Sequence, residues 1–387
     1  MEKSHLQHDA KGQYYSICFQ TITPEKTQEI LQHLSNRDAT IECFQIRACE
    51  ISNLDFSEIL RRIKNSGVKR LFIHSQNLNE FICRNIVETL QSPALIELKL
   101  EKIILPIIGF GLIFTAIRFS ALNSLVIEDC EIPNETLRTL FENINHNQLH
   151  DLDLSKNKLG NESIAWLFQS TNWSLSSLNV LRLSQCFLFD EALQTLGLIL
   201  IQNPNIQELD ISMNTFTSVG MEYLKQSFIN GCKLEHLYVS DCELDDHAIT
   251  VLSEGLINSK FLKSLFLDSN EFSDACTLQL HLTVKQILSL EILYLAGNFG
   301  LTDECFGNIL KCAKNHPRLS VVSIEETNIS DNLKHELDLI LEKQQRLLTK
   351  IFVLICAIDI LPSYSVSSPL KILNLNILKR IAHNFFM

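Results

Sequence analysis

The feature that most constrains this chain is a spacing that recurs. Leu234-x-x-Leu237-x-Val239-x-x-Cys242-x-Leu244 is followed by Leu262-x-x-Leu265-x-Leu267-x-x-Asn270-x-Phe272, then by Leu290-x-x-Leu293-x-Leu295-x-x-Asn298, closed by Leu301. A unit of this kind holds one short strand and one helix, and it buries its apolar face only when neighbours stack on it. Eleven units open at Ile41, Val68, Leu95, Leu122, Leu149, Leu178, Ile206, Leu234, Leu262, Leu290 and Leu319, in steps of 27 to 29 residues. Steps this long leave room for a full helix after each strand. The expectation is an α/β solenoid, with parallel strands on one face and helices on the other.

A chain of 387 residues would admit two or three ordinary domains, but a fixed period makes one array with end pieces the simpler reading. Residues 1–13 are read as a disordered N-terminus and 14–40 as an N-terminal cap unit. In the cap, Tyr14-x-x-Ile17-x-Phe19 supplies a strand and Thr23-Pro24-Glu25 a helix start. Residues 41–346 form the array, and 347–387 a helical C-terminal region. A net charge of −12 disfavours binding to a phosphate backbone and favours a protein partner with a basic or mixed surface, with no nucleic acid. The start has no apolar signal region, and no segment is read as spanning a membrane. The fifteen-residue apolar run 103–117, broken by Pro106 and two glycines, is too short to span. It reads either as an exposed apolar patch or as a helix repacked against its neighbours.

The slot after the third strand position alternates: Cys130, Asn157, Cys186, Asn214, Cys242, Asn270. This alternation, with unit lengths near 28 and 29, resembles the ribonuclease-inhibitor-like subfamily of leucine-rich repeats over roughly residues 40–346. The resemblance implies a horseshoe of parallel strands inside and helices outside. It does not fix an activity, since the subfamily includes enzyme inhibitors, GTPase activators, immune sensors and bacterial effectors. Each slot Asn is expected to bond backbone groups of adjacent coils. Cys49, Cys130, Cys186 and Cys242 are expected to fill the same slot as reduced thiols in a cytoplasmic protein, without a disulfide framework. Abundant Ile and Asn also resemble leucine-rich effectors that intracellular bacteria deliver to the host cytosol.

Strand side chains alternate, so the residues between the leucines form a column on the strand face. Its middle members are Gln45, Phe72, Lys99, Val126, Asp153, Arg182, Asp210, Tyr238, Phe266, Tyr294 and Ser323. Tyr238, Phe266 and Tyr294 should make a contiguous aromatic strip, because adjacent strands lie about 4.8 Å apart. Such clusters anchor protein interfaces, although stacked rings can also simply cover a sheet. Around them runs an acidic rim of Glu208, Asp241, Asp268, Glu325 and Glu326. The candidate partner-binding residues are Tyr238, Phe266, Tyr294, Asp210, Asp241, Asp268 and Arg182. A second acidic zone, Glu128, Asp129, Asp151 and Asp153, reads as a solvated face.

No catalytic residue, metal site or cofactor is expected. The chain has no Gly-x-x-x-x-Gly-Lys phosphate loop. His74 and His236 lie too many coils apart to share a metal or a nucleophile. Cys356-x-x-Asp359 departs from the Cys-x-Asp of bacterial leucine-rich ubiquitin ligases, and its apolar surroundings would raise the thiol pKa. The reading is a non-catalytic interaction scaffold. One alternative is an adaptor to ubiquitin-ligase machinery, because Leu361-Pro362 and the apolar stretch from Pro369 are similar to the helix pair of F-box-type modules. The other is a small-GTPase activator acting through Arg47 or Arg70.

Overall fold

The computed structural model describes residues 5–9, 12–35, 41–144, 148–170 and 177–343. The C-terminal region 347–387, read as a cap or as a ligase-recruiting module, lies outside the described residues. The chain divides into two compact units, residues 1–234 and 235 onward.

The first unit opens with β1 (His5–Asp9) running antiparallel to β2 (Gly12–Cys18). The mostly polar residues 5–9 thus form a strand where a frayed end was expected, because ladder hydrogen bonds come from the backbone and place no demand on side-chain polarity. Then come β3 (Thr21–Ile22), α1 (Pro24–Ser35), β4 (Ile41–Arg47), β5 (Glu50–Ile51) and α2 (Asn53–Lys64). Strand and helix alternate from there: β6 (Arg70–His74), α3 (Glu80–Thr89), β7 (Glu97–Glu101), α4 (Ile107–Ile117), β8 (Ser124–Glu128) and α5 (Asn134–Ile144). The unit continues with β9 (Asp151–Asp153), α6 (Gly160–Ser170), β10 (Val180–Arg182), α7 (Asp190–Gln202), β11 (Glu208–Asp210) and α8 (Ser218–Ile229). Strand β2 pairs in parallel with β4, and the parallel ladder runs on through β6, β7, β8, β9, β10 and β11. Strands β3 and β5 pair separately.

The second unit repeats the scheme with β12 (His236–Tyr238), α9 (Asp246–Leu256), β13 (Ser264–Phe266), α10 (Thr277–Val284), β14 (Ile292–Tyr294), α11 (Phe306–Asn315) and β15 (Val321–Ser323). A final helix, α12, covers 331–343. Strands β12 to β15 are parallel and in register.

The sequence pattern explains both layers. The central leucine of the short strands β9 to β12, that is Leu152, Leu181, Leu209 and Leu237, is fully buried, while its two flanks reach the strand face. Helix α5 turns Leu137, Leu140, Phe141 and Ile144 inward at helical spacing. Helix starts are capped by side chains: Ser52 accepts from the Asp55 amide, Asn79 from Ile82 and Asp245 from Ala248. Pro24 is the first residue of α1, after Thr23, the order its sequence implied.

Each coil then leaves its strand through one left-handed residue. These are Ala48, Ser75, Lys102, Asp129, Lys156, Gln185 and Met213 in the first unit, and Asp241, Ser269, Gly297 and Glu326 in the second. The amides of nine of them, from Ala48 to Gln185 and from Asp241 to Gly297, donate to a carbonyl of the following coil, for example Lys156 to Ser184 at 2.8 Å and Gly297 to Glu325 at 2.8 Å. The next residue occupies the alternating slot, and the slot Asn bonds both ways as expected. Asn157 Oδ1 accepts from the Cys130 amide of the preceding coil at 3.1 Å, and its Nδ2 donates to Ile127 at 2.7 Å and Leu154 at 2.8 Å. Asn270 does the same for Cys242 and Leu244.

The Cys slots differ in backbone. Glu131, Phe187 and Glu243, just after Cys130, Cys186 and Cys242, are also left-handed. The coils of Cys130, Cys186 and Cys242 therefore turn twice, and this double turn directs two amides at the Asn oxygen of the next coil, whereas Cys49 is followed by Glu50 of β5. No disulfide forms among the eleven described cysteines. Burial pushes the thiols of Cys130 and Cys186 up to about 12. In both units the fold is an α/β leucine-rich-repeat solenoid, with parallel strands on one face and helices on the other.

Candidate functional site

Strands β12, β13 and β14 align Tyr238 with Phe266 and Phe266 with Tyr294. The rings stack. Tyr238 and Phe266 have centroids 4.3 Å apart with planes 14° apart, and Phe266 and Tyr294 follow at 4.7 Å and 22°. This is close to the strand spacing, so the backbone ladder sets the ring spacing. All three rings are half-buried, each shielded by its neighbours, and their edges reach the strand face. The row ends where β15 places Ser323 beside Tyr294.

The acidic residues expected around the strip have separate roles. Asp268 accepts a hydrogen bond from the Ser240 hydroxyl at 2.7 Å. Asp241 is exposed in the left-handed strand exit, and its amide donates to the Asp268 carbonyl at 2.9 Å. Glu325 and Glu326 are exposed beyond β15. These residues and the three rings belong to the second unit.

Arg182 and Asp210 belong to the first unit, in a column with Asp153. Arg182 is committed within its own face, to Asp151 at 3.0 Å and Glu208 at 2.8 Å. Burial opposes its charge, but Asp151, Glu208 and Asp153 outweigh that and raise its pKa. Burial raises the pKa of Asp153 and Asp210, although each accepts an amide, from Ser155 and Ser212 respectively, at 2.9 Å.

The acidic zone around Glu128 is likewise matched by cations. Lys99 reaches Glu101 at 3.1 Å and Glu128 at 3.2 Å, and Lys156 reaches Glu128 at 2.8 Å. Burial would raise the Glu128 pKa, yet the two lysines hold it below the usual carboxylate value. His74 pairs with Glu101 at 3.2 Å. Apart from Lys99 and Glu101, which share β7, these partners lie one coil, or 26 to 31 residues, from each other, so adjacent positions in the chain gave no signal of them.

Arg47 stacks over Phe19 at 5.3 Å, and Arg70 is half-buried in β6. Among the described residues no group of His, Cys, Asp or Glu is placed to hold a metal ion. Nor is any described helix long and apolar enough to cross a membrane. The two strand faces thus differ in chemistry, one carrying internally paired charges and the other a stacked aromatic row.

Residues 202–225 match the family described as "Leucine Rich repeat". Similar curated proteins include NACHT, LRR and PYD domains-containing protein 3 of Rattus norvegicus, 27% identical over 129 residues. That match covers 32% of this chain and 12% of the relative. The ribonuclease inhibitor of Sus scrofa is 29% identical over 102 residues, covering 26% of this chain and 22% of that protein. The chain therefore spans under a quarter of the length of these relatives. Among solved structures, the Rad7 and Elc1 complex from yeast superposes with a TM-score of 0.56 at 16% identity, covering 79% of this chain and 75% of the other. The comparisons and the coil geometry agree on one fold, the leucine-rich-repeat solenoid.

Proposed function

We propose that this protein is a non-catalytic scaffold that binds a protein partner on the strand face of its second unit. The observation that carries this reading is the stacked row Tyr238–Phe266–Tyr294. Three rings fixed by their own stacking lose little rotamer freedom when a partner arrives, which removes part of the usual entropic cost of association. Asp241, Asp268, Glu325 and Glu326 around the row, with the overall charge of −12, suit a partner that presents Lys or Arg. Leucine-rich-repeat relatives that bind proteins support the same class of function. The absence of disulfides among the described cysteines suits a cytosolic setting, and delivery into a host cell would be one route to it.

The test is affinity capture with the parent chain and with Tyr238→Ala, Phe266→Ala and Tyr294→Ala. Loss of a captured protein with an unchanged melting curve is the expected result, at roughly 2 kcal/mol or more per anchor residue. Undiminished capture by the triple variant would remove the site assignment.

A second reading couples a bound protein to ubiquitin-ligase machinery. It is supported by the fold shared with Rad7, which the solved structure shows in complex with Elc1. A chain ending at Arg346 would then keep its captured partner and lose ligase subunits.

A further inference from the structure

Helix α4 and its flanks carry no charged residue from Ile103 to Ile117. The inward face buries Gly109, Phe110, Ile113, Phe114 and Ile117. The outward side does not close over: Ile104 is 68% exposed, Ile107 57%, Ile108 51% and Phe119 76%. Between them α3, α4 and α5 form an apolar groove of about 750 Å³, lined among others by Val87, Leu90, Gly111, Leu112, Ala116 and Phe119. Of the two readings the sequence left open, part of this segment is packed and part is bare.

The two glycines of α4 show which part is which. A Cβ on Gly109 would lie 2.7 Å from Cys83 Sγ and 3.3 Å from the Pro106 ring, so close packing requires glycine there. A Cβ on Gly111 would meet nothing within 4 Å. Glycine weakens a helix interior relative to alanine, and no packing inside the chain asks for it at 111. The groove floor is bare without any benefit to the fold.

The chemistry of the patch narrows its occupant. Glu135 in the lining and a net charge of −12 oppose docking on anionic lipid. The patch instead carries both halves of each complementary pair. A projecting ring, Phe119, and a bare floor at Gly111 line the same groove, and Arg118, which stacks on that ring, is opposite in sign to Glu135 in the lining. Self-complementarity of this kind is what a two-fold contact between identical chains demands. The four outward side chains are each more than half exposed, and a specific interface of this kind needs roughly 1,000 Å² buried in total over the two copies.

We infer that the α4 face is a homodimer interface, in which a second copy seats its Phe119 over Gly111 and sets its Arg118 near Glu135. The test is sedimentation velocity on the full chain from about 1 to 100 μM. A concentration-dependent dimer is expected. Gly111→Arg fills the groove from a position where an added Cβ meets nothing within 4 Å, so it should give a monomer that melts no lower than the parent in dilute protein. If Gly111→Arg lowers the melting temperature, Phe119→Asp decides, since that ring is largely outside the fold. Arg118→Glu and Glu135→Arg should each weaken the dimer about tenfold or more, and the pair together should restore it. A monomer throughout the range would overturn the inference, as would a dimer indifferent to both groove variants. Flotation of a monomeric chain with phosphatidylserine vesicles would also overturn it, by assigning the face to lipid.

Discussion

Asn214→Ala should be among the most damaging single changes in the array. Asn214 Oδ1 accepts from the amides of Cys186 and Leu188, both at 3.0 Å, and both residues are fully buried. Its Nδ2 donates to the carbonyls of Leu183 at 3.0 Å, Ile211 at 2.9 Å and Ser212 at 3.1 Å. Alanine leaves the two amides without an acceptor, at roughly 1–3 kcal/mol each. The carbonyls lose a shared donor. The expected destabilisation is about 4 kcal/mol, moderated wherever water enters the space.

The control is Cys186→Ala in the neighbouring coil. Its thiol makes two weak contacts, to the Leu154 carbonyl at 3.3 Å and the Ser184 carbonyl at 3.4 Å, and removing it deletes one small buried group, at about 1 kcal/mol. Urea unfolding followed by circular dichroism gives both values, and hydrogen exchange should localise the first loss to the coils holding residues 183–214. Equal costs for the two variants would refute the idea that Asn closes the coil while Cys only fills its slot.

Three further outcomes follow from the geometry. Asp210 has a folded pKa above its ordinary value, chiefly through burial, so its charge costs stability at pH 7 and that cost fades as pH falls through the folded pKa toward 3.8. Asp210→Asn keeps an oxygen for the Ser212 amide and should be more stable than the parent at pH 7, with the gap closing by about pH 4 in thermal melts. Gly297→Ala places a Cβ 2.7 Å from Ser269 Oγ at φ +69°, and should cost about 1–2 kcal/mol or more. Gly111→Ala, measured in dilute protein, should instead gain about 0.5–1 kcal/mol, and matching signs in denaturant melts would contradict the contrast. The thiols of Cys130 and Cys186, held up to about 12, should resist a disulfide reagent at pH 8 until the chain unfolds, and rapid labelling of either in the folded protein would count against their burial.

The strand register was legible in the sequence because leucine spacing fixes which residue stands beside which. Tyr238, Phe266 and Tyr294 could be placed in one column from that spacing alone, and the slot asparagines could be assigned to the backbone. The ring stacking depends on side-chain angles, which the spacing does not specify. Arg182 read as an outward cation because its partners, Asp151 and Glu208, are distant in the chain and meet it only across strands. The second left-handed residue of the Cys coils was hidden too. Glu131, Phe187 and Glu243 have no shared preference for that conformation, and tertiary bonding imposes it. Around α4 the sequence is apolar on both faces, so periodicity could not tell the packed side from the bare one.

The strand-exit amides give the array a growth direction. In each unit the amide of one coil is satisfied by a carbonyl of the coil that follows, as for Ala48 with His74 or Ser269 with Ala296. The slot asparagines act in the same sense, taking amides from the coil before them. On a ribosome the newest coil therefore waits, with its turn unsealed, until another 27 to 29 residues have been added. At common elongation rates that wait lasts roughly 1–6 s per coil. The nascent end of this protein should thus be its chaperone-dependent point throughout synthesis, with each new coil locking the one before it.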